Sequence, residues 1–233
     1  MAAPTSIALI LGSGPRVGAS VAKALSGKGY QVAIASRHGT GTKNSDGYLS
    51  LKADFTNPES IAPLFEAVKK EFHASPNVVV YNAASLTIPP DEDSILSIPF
   101  DTVASDLNVN TISPYVAAQQ AIHHWKELPS DIKKTFIYTG NILNVSVIPA
   151  PRVLDLGMGK AASAFWVGVA DASYAAKGFR FFYTDERKSD GQPVSTEIDG
   201  DAHSEFYLEL ITHEGQIPWH ATFVKDQGYV QFK

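Results

Sequence analysis

The stretch Ser6–Ser20, SIALILGSGPRVGAS, decides the fold. Its first half is an unbroken apolar run ending at Gly12, the pattern of a strand buried on both faces. Its second half, Gly12-Ser13-Gly14-Pro15-Arg16-Val17-Gly18, places glycines where a strand must turn sharply into a helix. Beyond it, Val17, Val21, Ala24 and Leu25 fall on one helical face. Such a strand–glycine turn–helix suits a dinucleotide: glycines let the backbone approach a pyrophosphate, and the helix N-terminus adds free amides and a favourable dipole. The charge–dipole term is roughly 0.3–1 kcal/mol when exposed and up to about 2 when partly buried, so amide hydrogen bonds must carry much of the affinity. Turn geometry alone could also call for these glycines, and only their context separates the two readings.

That context is a chain of alternating elements. Strands are predicted over residues 30–37 (YQVAIASR), 48–54 (YLSLKAD), 76–84 (PNVVVYNAA), 134–141 (KTFIYTGN) and 178–184 (GFRFFYT). Between them lie a helix opened by Asn57-Pro58-Glu59, a long helix over about 101–128 and a small-residue helix over about 155–176. A helix near 204–211 and a hairpin, TFVKDQGYVQF, turning at Asp226-Gln227-Gly228, complete the pattern. Apolar β runs alternating with helices imply right-handed βαβ crossovers. The expected architecture is α/β: a doubly wound (Rossmann), mostly parallel sheet with helices on both faces, in a single domain over 1–233.

Size and charge narrow the function. A chain of 233 residues suffices for one large domain and is short for two. With 19 Lys and Arg against 24 Asp and Glu, the net charge of −5 argues against a general nucleic-acid partner. No polybasic run marks a membrane surface. Having no cysteine, the chain can form neither disulfides nor thiolate metal sites. The opening MAAPTS lacks a basic region and the apolar Ile7–Leu11 run is short, so a cytoplasmic protein is expected. No histidine or carboxylate spacing forms a metal set; His123 and His124 are adjacent on a helix and face different ways. There is no Gly-x-Ser-x-Gly elbow and no Walker lysine.

The end of the second strand selects the cofactor. An NAD site places a carboxylate there for the ribose hydroxyls, whereas an NADP site supplies a cation. This chain has Ser36-Arg37. A guanidinium can fork onto a 2′-phosphate and stack on adenine. Arg16, within the glycine turn, is a second cation near the same phosphates. NADP(H) is the expected cofactor.

With the glycine turn, Ser36-Arg37, Asp54, Asn82-Ala83-Ala84, Asn110 and Lys160 in this order, the chain resembles the short-chain dehydrogenase/reductase family from Ser6 to its last strand. The resemblance implies that Gly12, Ser13, Gly14, Arg16, Val17 and Gly18 form the cofactor turn, with Arg16 where the middle glycine usually stands. It implies that Asp54 bonds the adenine amino group, Phe55 follows with its amide, and Asn82, Ala83 and Ala84 lie beneath the ribose. Asn110 matches the helix asparagine that holds a relay water, and Lys160 the lysine that bonds the nicotinamide ribose. Thr139 or Asn141 stands near the family's serine. A dimer or tetramer built on the Asn110 and Lys160 helices, and a substrate lid over about 183–220, are implied likewise.

One departure is decisive. Four residues before Lys160, where the family has its proton-donating tyrosine, this chain has Leu156. A positioned general acid contributes roughly 10²–10⁴-fold, and leucine cannot supply it. Asp155, Tyr183 and Tyr115 are candidate substitutes, although Asp155 is rotated by about 100° from Leu156 on a helix; His203 and Trp219 fall in the tail, where the family resemblance implies the substrate lid. Tyr183-Thr184-Asp185-Glu186-Arg187 stands where the family turns at Pro-Gly, with an ion pair between Arg187 and Asp185 or Glu186 expected. Two functions follow: an NADP(H)-dependent oxidoreductase with an altered catalytic set, acting on a small carbonyl or alcohol, or a cofactor-binding protein without hydride transfer.

Overall fold

The computed structural model describes residues 6–212 and 216–232; residues 1–5 of the opening stretch and 213–215 of the expected lid lie outside it. Nine strands form one sheet: β1 (Ile7–Leu11), β2 (Gln31–Ser36), β3 (Thr42–Lys43), β4 (Leu49–Lys52), β5 (Val78–Tyr81), β6 (Lys134–Thr139), β7 (Phe179–Arg187), β8 (His220–Val224) and β9 (Gly228–Tyr229). Their order is β3-β4-β2-β1-β5-β6-β7-β8-β9, parallel from β4 to β8, with antiparallel β3 and β9 at the edges. The strand order reverses between β1 and β5, the point where open α/β sheets leave a crevice.

Both faces are covered, as the apolar strands require. Along β1, Ile7, Leu9 and Leu11 enter one core, and Ala8 and Ile10 enter the other. Under the first face lie α2 (Ala62–Phe72), α4 (Ser113–Trp125) and α5 (Leu154–Tyr174). Under the second, α1 (Val17–Gly27) packs against α6 (Gly200–Thr212) through Val21, Leu25, Phe206 and Leu210. α5 is also long and apolar enough to cross a membrane, but it buries Asp155, Lys160, Ser163 and Asp171 against the domain.

Several boundaries differ from the sequence expectation, each for a physical reason. The helix expected over 101–128 is α3 (Phe100–Leu107), a π-turn at Asn108–Ile112, then α4. Pro114 has no N–H to return to the Asn110 carbonyl four residues back, so the turn widens there. That carbonyl accepts the Tyr138 hydroxyl at 2.7 Å and the Ser163 hydroxyl at 2.8 Å. Asn57 caps as expected, bonding the Glu59 amide at 3.1 Å, but the turn it opens is a 3₁₀ turn ahead of α2. β7 does not stop at 184; it continues through Asp185-Glu186-Arg187, paired with β8. Within the expected lid, residues 183–187 are therefore strand and 200–212 are a core helix, leaving 188–199 as the connecting segment.

Gly12 fixes the sheet's central junction. Its φ is +101°, and a Cβ there would lie 2.4 Å from the Ala83 nitrogen. Gly12→Ala should destabilise the fold by about 1–3 kcal/mol from backbone strain alone, measured by urea denaturation; an unchanged midpoint would contradict this packing.

Candidate active site

The turn after β1 and the end of β5 are tied together. The Asn82 and Ala83 amides donate to the Leu11 carbonyl at 2.8 and 3.0 Å, and Asn82 Nδ2 donates to the Gly12 carbonyl at 2.8 Å. Gly18 is equally constrained, since a Cβ there would lie 2.6 Å from the Gly12 carbonyl oxygen. Gly14 is different: it is exposed, and a Cβ would meet nothing within 4 Å. The turn thus leaves an open cradle above α1, whose N-terminus carries no side-chain cap and no acid in its first turn. Val17 is buried in the α1–α6 core, so only its backbone faces this cradle. Arg16 is exposed and reaches the Thr196 carbonyl at 3.3 Å, while the Ser20 hydroxyl donates to Asp201 at 3.0 Å. The 188–199 connection therefore lies against the glycine turn.

At the carboxyl end of β2, Ser36 is half-buried and accepts the His38 amide at 3.3 Å; Arg37 is exposed. Asp54 follows β4, and its carboxylate takes the Thr56 hydroxyl and amide at 2.7 and 3.0 Å. Those two bonds, with the Arg37 charge adding to them, hold it below the ordinary carboxylate range. Phe55 is buried edge-on to Tyr81, and its carbonyl accepts the Ser113 hydroxyl at 2.7 Å.

Across the crevice, Asn110 grips the loop after β5: its side chain donates to the Ser85 carbonyl at 2.8 Å and accepts the Ser85 amide at 2.9 Å. Gly159 of α5 must be glycine for this, because a Cβ would lie 2.3 Å from Asn110 Cβ. Lys160 is buried; its ammonium donates to the Thr139 carbonyl at 2.7 Å and lies 4.5 Å over the Tyr138 ring. Burial lowers its pKa to about 7, against the opposing pull of Asp185. The Thr139 hydroxyl meets Tyr207 at 2.8 Å, and Asn141 Oδ1 accepts the Leu143 amide at 3.1 Å. Among the described residues no group of three or more His, Cys, Asp or Glu could hold a metal.

Known proteins resemble this chain in sequence and in fold. Residues 15–180 match the model of the family described as enoyl-(acyl carrier protein) reductase. A short chain dehydrogenase/reductase, dmxR12, of Cryptosporiopsis sp. (strain 8999) is 38% identical over 97% of this chain and 94% of its own length. The chain belongs to the short-chain dehydrogenase/reductase family. In fold it is similar to a Serratia marcescens short-chain dehydrogenase/reductase double mutant, with TM-score 0.77 and 18% identity over 94% of this chain and 95% of that one. A Burkholderia cenocepacia J2315 short chain dehydrogenase in complex with NADP superposes with TM-score 0.73 at 21% identity, covering 96% and 97% of the two chains. The chain is therefore a short-chain-family oxidoreductase by descent.

Set in that family, the departures gain weight. Leu156 is half-buried one turn before Lys160. Asp155 does not share its direction: it is fully buried against α3, where Asp106 meets it. Tyr183 is buried, its hydroxyl donating to the Asn141 carbonyl at 2.8 Å, and burial pushes its pKa well up. His203 is buried beside Glu186 at 3.4 Å, and burial lowers its pKa to about 4. Tyr115 is half-exposed on the outer face of α4, edge-on to Trp166. Trp219 lies over Gly168 of α5, where a Cβ would come within 2.9 Å of the indole.

The sequence did not reveal that the run standing at the family's Pro-Gly turn continues β7 to Arg187. Alternation along β7 puts Tyr183, Asp185 and Arg187 on the α5 side, and Glu186 on the α6 side. Asp185 and Arg187 form the expected ion pair at 2.6 Å, buried to 1% and 6% exposure, and Asp185 Oδ1 has no hydrogen-bond partner. Burial raises the Asp185 pKa, while Arg187 and Lys160 oppose that rise. Asp185→Asn strands the Arg187 cation and should lower stability by about 3–5 kcal/mol. Urea denaturation reads the loss, and one below about 1 kcal/mol would contradict the closed pair.

Proposed function

We propose that this chain is an NADP(H)-dependent oxidoreductase that acts on a small or medium carbonyl or alcohol with an altered catalytic set. One observation carries the cofactor choice. The exposed guanidinium of Arg37 ends β2 with no carboxylate in the position that would bind a 2′-hydroxyl. The residues fit such a ligand on three grounds of this structure: the open face of Gly14, the uncapped N-terminus of α1, and the Asn82 tie that holds the glycine turn in place.

In this reading the amides of Gly14, Arg16, Val17 and Gly18 take the pyrophosphate beside the Ser13 hydroxyl, since the Ser13 amide already donates to the Ala35 carbonyl at 3.3 Å, and Arg37 takes the 2′-phosphate. Asp54 and the Phe55 amide flank the adenine. Asn82, Ala83 and Ala84 floor the ribose, and Lys160 turns from the Thr139 carbonyl toward the ribose hydroxyls. A reduced nicotinamide supplies a hydride when bound. Of Thr139 and Asn141, the residues after Tyr138 assigned to polarise a carbonyl oxygen, Thr139 turns its hydroxyl to Tyr207 on the α6 side, which leaves the role to the side-chain amide of Asn141. Two copies would meet through the outer face of α4 and α5, where Ile112, Tyr115, Phe165 and Val169 are exposed. A cytoplasmic setting accords with the absence of cysteine.

Leu156 favours a second reading: an NADP(H)-binding sensor, scaffold or cyclase on the same fold. NADPH consumption across a panel of carbonyls separates the two, since turnover of any member excludes the non-redox reading. Panel-wide inertness alongside tight NADPH binding would select it.

Arg37→Glu should weaken NADPH about ten- to a hundredfold, the value of one or two charge-assisted hydrogen bonds, and leave NADH nearly unchanged. Calorimetry with both nucleotides checks this, and equal losses would remove Arg37 from the phosphate site. Lys160→Ala should weaken NADPH and NADH alike by about tenfold; unchanged fluorescence titrations would take Lys160 out of the ribose site.

A further inference from the structure

Two buried carboxyls face each other across α3 and α5. Asp106 and Asp155 are 5% and 0% exposed and both accept hydrogen bonds from Thr87, so two like carboxyls share one buried site and their simultaneous ionisation is disfavoured. Three chain segments supply the remaining donors. The Ser85 hydroxyl donates to Asp106 Oδ1, and the Thr87 hydroxyl donates to Asp106 Oδ2 at 2.6 Å. The Thr87 and Leu156 amides donate to the two oxygens of Asp155 at 2.9 and 2.7 Å. Among the described residues no Lys, Arg or His bonds to either carboxyl; their partners are Ser85, Thr87 and Leu156. The loop over 85–87 carries only hydroxyls and apolar groups, and the residue of the π-turn that touches it is Asn110.

The pair sits at the crevice. Asp155 directly precedes Leu156, and Ser85 and Thr87 are only half-buried in the loop leaving β5. Asn110, one helical turn beyond Asp106, fixes the Ser85 backbone from both sides. The relay that the family resemblance implies is closed here. Tyr138 and Ser163 fill the Asn110 carbonyl, and the tyrosine is absent. A carbonyl reduction in this site therefore needs its proton from elsewhere.

We propose that the Asp106–Asp155 pair stores the proton consumed in carbonyl reduction and passes it to the substrate oxygen through the Ser85 hydroxyl. The inference rests on the oxidoreductase reading above. The substrate carbon gains its electron pair as hydride from the reduced nicotinamide, and its C=O π bond becomes the oxygen lone pair. An O–H bond forms at that oxygen as one breaks at Ser85 Oγ. Ser85 is reprotonated from Asp106, which takes the Asp155 proton, and both carboxylates stand ionised until water returns one proton. Ser85 is the catalytic group; the two aspartates act through it.

Burial, with Asp106 adding to it, pushes the Asp155 pKa up to about 6. Burial opposes ionisation of Asp106, but Asp155, Ser85 and Thr87 beside it outweigh that and hold it below the ordinary range. The stored proton is thus present below about pH 6 and lost above it. Infrared titration of the cofactor-free protein, with aspartate carboxyls isotope-labelled, should show one protonated band that fades through this range. The band should be absent from Asp155→Asn. With 9,10-phenanthrenequinone as the probe carbonyl, kcat should fall about tenfold per pH unit above that pKa. Asp155→Asn should lower kcat by roughly 10²–10⁴-fold and flatten the profile, with the NADPH dissociation constant unchanged. Ser85→Ala should give the same loss of kcat while keeping the infrared band, and it serves if Asp155→Asn does not fold. The proposal is overturned by a missing band, or by variants that keep the wild-type kcat and pH limb. It is overturned also by NADPH binding without turnover of the quinone, which leaves the cofactor assignment standing. Absence of NADPH binding would instead defeat the oxidoreductase reading itself.

Discussion

The close approach of the β1 turn to the end of β5 is the constraint on which the rest of the molecule depends. Gly12 has no Cβ because the backbone at Ala83 occupies that space, and Asn82 closes the gap by bonding the Gly12 carbonyl. This contact sits where the strand order reverses, so it fixes the floor of the crevice and the direction in which α1 presents its amides. Gly14, by contrast, has no intramolecular reason to lack a side chain. Its freedom is intelligible if a ligand, not the protein, approaches it.

Around that floor the chain buries several ionisable groups, and it handles them in two ways. On the α5 side of β7, the opposite charges of Asp185 and Arg187 pair directly, with Lys160 within reach of the same carboxylate. Between α3 and α5, two like groups meet with no cation, so one of them holds its proton up to about pH 6. Burial leaves Lys160 ionisable close to neutrality against the pull of Asp185, and the Thr139 carbonyl fixes its direction. The second arrangement holds the loop leaving β5 against both helices. Leucine at 156 lies between the two clusters in sequence.

The fold was legible because its signals are local. Apolar runs such as Ile7–Leu11 and Val78–Tyr81 are buried on both faces, and helical patterns alternate with them. The glycine turn was legible for the same reason. What escaped was tertiary. Asp185-Glu186-Arg187 reads as a polar turn, yet β8 pairs with it and extends the strand. Pro114 announces an irregularity in the long helix, but not that the freed carbonyl would be taken by Tyr138 and Ser163. Asp106 had one signal, its i, i+4 spacing to Asn110 on one helical face. Its partner Asp155 lies 49 residues away and was legible only as the neighbour of Leu156. Ser85 and Thr87 lie in a loop with no period to read.

A phosphorylated dinucleotide held between the Gly12 turn and Arg37 underlies every role proposed for the site. Calorimetric titration of the wild-type chain with adenosine 2′,5′-bisphosphate, beside adenosine 5′-monophosphate, tests that grip with the nicotinamide chemistry removed. The account predicts saturable heat from the bisphosphate and binding at least about tenfold weaker for the monophosphate. Equal affinities, or no heat from either, would contradict it.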